Sequence, residues 1–168
     1  MCVIVPGYNN NALFRIEQSL NSLFRQNYTN YYAVIIDDGS TDGSDALYRK
    51  YLEFYGIDPA NYVYYHNQQN KGSLENVYDA IHNHCAPDSI AMVLDGDDEF
   101  ADRNVLKALN AGYQSKHAGV IYSNFFWFNQ KEKLISLGET REYDDEEKKL
   151  NRYRKLIQKF SQLRTFRS

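Results

Sequence analysis

Residues 90–98 read IAMVLDGDD, an apolar run that ends in a cluster of acids. Two earlier stretches have the same form: VIVPGYNN at residues 3–10 and AVIIDDGS at residues 33–40. Each apolar run has the length and the branched residues of a buried strand, and Gly, Pro or Asp marks its end. The sequence therefore predicts three buried strands, each followed by polar residues at its carboxyl end.

Helical patterns separate these strands. Apolar residues spaced along one helix face predict helices at 13–23, 73–84 and 105–109. A cap at residues 42–44 predicts another helix that runs to about Tyr55, before Pro59. Asn10 or Asn11 is expected to cap the first helix, and Leu74 to lie on the apolar face of the helix at 73–84. Further strands are predicted at 62–66 and 120–128.

Strands that alternate with helices imply parallel pairing through crossovers. The predicted fold class is therefore α/β, with a mostly parallel sheet and helices on both faces. In such sheets ligands bind beyond the carboxyl ends of the strands. The strand ends are accordingly the first place to look for chemistry.

Acids at two strand ends would meet at one edge of this sheet. Two like charges about 6 Å apart repel by roughly 2–3 kcal/mol at an effective dielectric of ~20. A fold accepts that repulsion where a cation or a hydrogen-bond donor binds, and carboxylates on an open site suit Mn²⁺ or Mg²⁺ carrying a diphosphate. Asp95 and Asp97 lie two residues apart, so in an extended segment they point the same way, and Gly96 lets a ligand approach the backbone. The alternative interpretation is that these acids cap turns and helices, as we expect Asp98 to do.

Other motifs and the composition exclude several classes of protein. The chain has no G-x-G-x-x-G, P-loop, CxxC or HExxH pattern, and Arg49 stands where an EF-hand loop needs Glu. The 168 residues carry a net charge of −3, which excludes a generally basic protein that coats nucleic acid.

Sequence signals also bear on location. No apolar run approaches the length of a membrane span and no signal peptide is recognisable, so we expect a cytoplasmic protein. Cys2 and Cys85 are too few for a disulfide scaffold. We therefore expect a reducing compartment, with Cys85 as a buried or half-buried thiol.

Five segments in order resemble the donor-binding half of family 2 glycosyltransferases: VIVPGYNN, SLNSLFRQNY, VIIDDGSTDGS, NQQNKGS and MVLDGDDEF. The resemblance implies a GT-A fold. It also implies an inverting enzyme that moves a sugar from a nucleoside diphosphate donor, most simply a UDP-sugar, to an acceptor hydroxyl. Mn²⁺ or Mg²⁺ is the cofactor that the family usually requires.

The resemblance also implies roles for individual residues. Asp37 or Asp38 would accept a hydrogen bond from the base, and Asp97 would bind the metal. Lys71 would offset phosphate charge, with an exposed surface lysine as the equal alternative. The residues expected to contact the nucleotide sugar are Pro6, Tyr8, Asn9, Asp37, Asp38, Lys71, Asp95 and Gly96. The expected metal ligands are Asp97 and Asp95.

The C-terminal part departs from the resemblance. Residues 144–168 carry 8 Lys plus Arg against 4 Asp plus Glu, and 144–162 predicts an amphipathic helix. We expect a nucleotide-sugar and metal-binding core in residues 1–130. Residues 131–168 would form a basic amphipathic helical segment that leads to a missing or reduced acceptor half. The chain is expected to be truncated, with its catalytic base elsewhere.

Two functions stay open at this point. One is sugar transfer to a glycan, protein or lipid acceptor that the sequence does not identify. The other is binding of a nucleotide sugar by a fragment without transfer activity of its own. Contact of the basic helix with a membrane surface is a less favoured addition. A sugar-1-phosphate nucleotidyltransferase lacks support, because no Gly-rich, Arg-containing loop follows the first strand.

Overall fold

The computed structural model describes residues 1–116, 120–122, 125–129, 134–138 and 164–167. The strands are β1 Cys2–Gly7, β2 Tyr32–Asp37, β3 Tyr62–His66, β4 Ile90–Val93, β5 Val120–Tyr122, β6 Phe125–Asn129, β7 Leu134–Gly138 and β8 Arg164–Arg167. The helices are α1 Arg15–Phe24, α2 Ser44–Tyr55, α3 Ser73–His84 and α4 Val105–Lys116. Short 3₁₀ turns precede α1 and β3.

The main sheet has six strands in the order β3-β2-β1-β4-β8-β5. Strands β1 to β4 pair in parallel, which confirms the predicted fold class. Strand β8 is antiparallel to both β4 and β5, and β6 and β7 form a separate antiparallel pair. All four parallel strands therefore present their carboxyl ends at one edge.

The last third of the chain differs from the sequence prediction. The single strand expected over 120–128 is wrong, because β5 and β6 occupy this range and belong to different sheets. The segment 131–168, expected to be helical, contributes β7 and β8. The predicted helix at 144–162 lies outside the described residues.

Helices cover both faces of the parallel strands. Alternate residues of β1 point to opposite faces, as the pleat requires. Val3 and Val5 pack in the larger core beneath α1, α2 and α4. Cys2 and Ile4 pack in the smaller core against Ala80 of α3. The β1 strand is thus buried on both sides, and it lies at the centre of the edge formed by the carboxyl ends of the parallel strands.

Two helix details correct the sequence analysis. Helix α1 begins at Arg15, and neither Asn10 nor Asn11 caps it, since the Asn11 amide instead donates to the Asp42 backbone oxygen. Leu74 is 85% exposed, so it lies off the apolar face of α3.

A disulfide joins Cys2 of β1 to Cys85 just after α3. Cys85 is half-buried, as expected, but it is disulfide-bonded and is not a free thiol. Disulfides persist mainly in oxidising environments, so the cysteines no longer argue for a reducing compartment. Within the described ranges, no helix combines the length and apolarity needed to span a membrane.

Candidate functional site

An open cleft of about 230 Å³ lies at the carboxyl ends of β1, β2 and β4. This is the edge at which a parallel sheet is expected to bind ligands. The lining residues are Pro6, Gly7, Tyr8, Asn10, Asp38, Asn70, Gly72, Ser73, Asn76, Asp95 and Asp97. Residues from three strand ends and from the start of α3 therefore share one cleft.

Asp95 and Asp97 both line this cleft, as their spacing predicts. The side chain of Asp97 is 48% exposed, and its Oδ2 lies 3.6 Å from a guanidinium nitrogen of Arg15. The Asp98 amide donates to the Asp95 carbonyl, which turns the chain directly after the acids. Helix α4 begins only at Val105, so Asp98 lies too far ahead to cap it. Two acids with hard oxygen donors in an open cleft are a chemically suitable pair for Mn²⁺ or Mg²⁺.

The backbone of Gly96 connects the turn at residues 95–98, called here the acidic turn, to the end of β1. Its amide donates to the Pro6 carbonyl at 2.8 Å, and the Leu94 amide donates to the Ile4 carbonyl at 2.9 Å. A Cβ at position 96 would lie 2.9 Å from the Gly7 Cα. Only glycine permits this close approach of two backbones, so Gly96 shapes the floor between the two acids.

Asp38 lines the cleft but is almost fully buried, with 3% exposed. Its carboxylate accepts hydrogen bonds from the Lys71 amide at 2.9 Å, the Gly72 amide at 2.9 Å and the Asn67 side chain at 2.8 Å. Burial alone would raise the pKa of Asp38, but hydrogen bonds from Asn76, Lys71 and their neighbours outweigh it and lower the pKa. Asp38 therefore stays ionised and ties the segment before α3 to the end of β2.

Asp37 is arranged differently from its neighbour. It is fully buried, its carboxylate accepts from the Ser40 hydroxyl, and its Oδ2 lies 2.9 Å from His66 Nδ1. Its side chain is absent from the described lining of the cleft. Asp37, Asp45 and His66 place possible ligand atoms within 4.8 Å of one another. That grouping is accounted for by internal hydrogen bonds, since Asp45 accepts from Tyr64 at 2.6 Å.

Of three other residues expected to contact the nucleotide sugar, two line the cleft and one supports the loops around it. Pro6 and Tyr8 line the cleft, and Tyr8 is 48% exposed. Asn9 adopts a φ of 53°, and its side-chain oxygen accepts from the Thr41 amide at 3.0 Å. Asn9 thus holds the loops after β1 and β2 together and is not among the lining residues described.

Lys71 directs its ammonium group to the solvent side of α3. The ammonium lies 3.1 Å from Asp79 and 3.9 Å from Glu75. Hydrogen bonding and charge attraction from Asp79 raise the pKa of Lys71. Its contribution to the cleft is the backbone amide that binds Asp38, so the surface-lysine alternative describes its side chain better.

Sequence reasoning missed several polar residues of the cleft: Asn10, Asn70, Ser73, Asn76 and, beside Asp97, Arg15. The sequence predicts no role for Asn10 other than a helix cap. Asn10 and Asn70 stand in the segments NNN and NQQN, which suggest loops as readily as a binding site, and Asn76 lies within the predicted helix at 73–84. Their convergence depends on the order of the strands, which local patterns do not contain.

The family model for glycosyl transferase family 2 matches residues 2–166. The chain belongs to this family. Among curated proteins it is similar to glycosyltransferase GlyA of Streptococcus pneumoniae serotype 4, with 28% identity over 133 residues, which are 79% of this chain and 18% of GlyA. The family model extends past residue 130, into the segment expected to lead to an acceptor half.

Several solved structures share the fold of this chain. S. aureus TarS 1–349 matches with 27% identity and a TM-score of 0.59, covering 72% of this chain and 34% of that one. The same TarS fragment was solved with UDP-GlcNAc, matching at 26% identity and a TM-score of 0.56. The mannosyltransferase PcManGT of Pyrobaculum calidifontis, solved with GDP-Man and Mn²⁺, matches at 21% identity with a TM-score of 0.59, over 71% of this chain and 34% of that one. The chain therefore has the GT-A fold of these enzymes and spans about a third of their crystallised length.

Proposed function

We propose that this chain forms the donor-binding part of an inverting glycosyltransferase, which transfers a sugar from a nucleoside diphosphate to an acceptor hydroxyl. The observation that supports this proposal is that Asp38, Asp95 and Asp97 line the same cleft. Strands β2 and β4 flank β1, so the two acidic ends are separated by about 10 Å, twice the spacing of neighbouring strands. A nucleoside diphosphate is long enough to bridge that distance.

Different residues of the cleft would bind different parts of the nucleotide sugar. Pro6 and the half-exposed ring of Tyr8 offer apolar surface to the base and ribose. Asp38, held ionised in the cleft wall, is the carboxylate that we assign to an N–H of the base. UDP is the favoured nucleotide, since TarS, solved with UDP-GlcNAc and with UDP, is 26% identical to this chain.

Asp97 and Asp95 would hold Mn²⁺ or Mg²⁺. In the part of the chain that the structure describes, no third His, Cys, Asp or Glu joins them in a three-ligand group. Such a pair leaves coordination places for diphosphate oxygens and water. When bound, the ion stabilises the negative charge that develops on the departing diphosphate.

Transfer forms a bond from the acceptor oxygen to the anomeric carbon and breaks the bond from that carbon to the diphosphate. The acceptor proton passes to a general base, which we place outside this chain.

A second candidate function follows from the coverage: the chain spans 34% of TarS 1–349 and 18% of GlyA. On that basis it would bind the nucleotide sugar and need further chain to transfer the sugar.

Calorimetric titration with UDP, with and without Mn²⁺, tests the proposal. Asp97→Asn should weaken Mn²⁺-dependent UDP binding by at least about 10-fold, the lower end of the loss seen when partners of a metal site are removed. The Tm of the free variant should change little, because Asp97 is half-exposed and its ion pair at 3.6 Å is worth at most ~1 kcal/mol.

Asp88→Asn is the matched control. Asp88 is exposed and precedes β4, so this variant removes a carboxylate at the opposite end of the same strand and should bind UDP like the wild type. Equal Mn²⁺-dependent affinity in Asp97→Asn and the wild type would refute the metal assignment. A sugar-transfer assay on the 168-residue chain separates the two candidate functions, since measurable transfer would exclude a fragment that only binds.

A further inference from the structure

Tyr48 of α2 reaches the floor of the cleft from inside the protein. Its side chain is fully buried in the larger core, and its ring lies 5.6 Å from that of Tyr64. A Cβ at position 7 would overlap the Tyr48 hydroxyl oxygen. A Cβ at position 96 would lie 2.9 Å from the same oxygen. The hydroxyl therefore fills the space in which side chains at both positions would begin.

This hydroxyl is poorly satisfied. Among the described residues, none makes a hydrogen bond of normal geometry with it, although the Asn10 amide adjoins it. Burial raises the pKa of Tyr48, and the negative charges of Asp37 and Asp97 raise it further. The phenol is thus neutral. A phenylalanine at this position would fill the core equally well and would not bury a hydroxyl that lacks a good hydrogen-bond partner. Stability alone gives no reason for tyrosine here.

We infer that Tyr48 is a positioning residue of the donor site, whose buried hydroxyl supports the backbone of Gly7 and Gly96 from beneath and so fixes the floor on which the diphosphate part of the donor lies. Gly7 lines the cleft, and Gly96 separates Asp95 from Asp97. Glycine lets a ligand approach the backbone closely. The inference rests on the proposed function, because it gives a role to the floor of that same cleft.

Removing only the hydroxyl tests this role. Tyr48→Phe keeps the ring and opens a small space beneath Gly7. Mn²⁺-dependent UDP affinity, measured by calorimetry, should fall by about 3–10-fold, because the Gly7 backbone loses its support from beneath. The Tm of the free protein should be unchanged or higher. Tyr113→Phe, at a buried tyrosine of α4, is the matched control and should leave the affinity unchanged.

A double-mutant cycle adds a readout that packing alone would not produce. Gly7→Ala should abolish measurable UDP binding, and Tyr48→Phe should restore part of it in the double variant. The other close group to that Cβ is the end of the flexible Asn10 side chain, at 2.9 Å. Gly96→Ala should not be rescued by Tyr48→Phe, because its Cβ would still lie 2.9 Å from the Gly7 backbone.

The outcomes are distinguishable. Wild-type protein that fails to bind UDP with Mn²⁺ would refute the proposed function itself. Wild-type binding together with unaltered affinity in Tyr48→Phe, or a lower Tm with unaltered affinity, would overturn the inference and leave the proposed function standing. Equal rescue of Gly7→Ala and Gly96→Ala would also overturn it, because the steric argument separates the two positions.

Discussion

Asp38→Asn should destabilise the free protein, since this carboxylate holds the segment before α3 in place. Asparagine keeps one oxygen, which can still accept from Lys71 and Asn67, but sets an NH₂ group against the Gly72 amide. A hydrogen bond to a charged group contributes about 1.5–3 kcal/mol, and an unpaired buried donor costs a further 1–3 kcal/mol. Relief of the buried charge offsets part of this loss. We therefore expect the free energy of unfolding to fall by about 2–4 kcal/mol at pH 7.

The pH dependence of this difference has a definite sign. The pKa of Asp38 is below its ordinary value of 3.8 in the folded protein. A carboxyl group whose pKa is lower in the folded protein than in the unfolded chain stabilises the fold. This stabilisation is complete at any pH above the pKa in the unfolded chain, and it is lost as the pH falls through the pKa in the folded protein. The gap between wild type and Asp38→Asn should therefore be complete at pH 7 and shrink below about pH 4.

Urea unfolding followed by circular dichroism measures both effects. Asp58→Asn is the control, because Asp58 is exposed, accepts one hydrogen bond from the Ala60 amide, and asparagine caps such a turn equally well. Its unfolding free energy should stay within about 0.5 kcal/mol of the wild type. An Asp38→Asn protein as stable as this control at pH 7, or a gap that widens in acid, would refute the reasoning.

Two further predictions concern the edge of the cleft and the disulfide. Arg15→Gln removes a guanidinium 3.6 Å from Asp97 and should tighten Mn²⁺ binding without nucleotide by about 2–5-fold, the equivalent of an exposed ion pair. Calorimetry with Mn²⁺ alone checks this, and weaker binding would count against it. Cys85→Ser should lower the unfolding free energy by about 2–4 kcal/mol, because the bond closes a loop between cysteines 83 residues apart. Reductant should lower the urea midpoint of the wild type and not that of the variant, and equal sensitivity would contradict the pairing.

The parallel half of the fold could be predicted because its signals are local. The helix over 73–84 and the strand over 62–66 have the bounds that the sequence indicated. Strand β8 was missed, because Arg164–Arg167 is short and half basic, and its pairing depends on β4 and β5. Neither periodicity nor residue propensity marks such a strand. The disulfide was missed for the same reason, since only the fold brings its two ends together.

The site was predicted where it depends on spacing along one strand end. Asp95 and Asp97 lie in the cleft together, as two residues in an extended segment should. The choice between Asp37 and Asp38 could not be made from sequence. It depends on donors 29 to 34 residues further along the chain, which place Asp38 in the cleft wall and Asp37 beneath it. Tyr48 gave no signal, because it lies on α2, whereas Gly7 ends β1 and Gly96 lies in the turn after β4.

Strand β8 also has a consequence for synthesis of the chain. Arg164 pairs with Val93, so the ribosome must add another 71 residues before that side of β4 receives its hydrogen-bonding partner. The four parallel strands and their helices are complete long before then. During this interval β4 offers a row of unpaired amides and carbonyls to any other extended segment nearby. The nascent protein is therefore open to mispairing beside the strand that precedes Asp95 and Asp97.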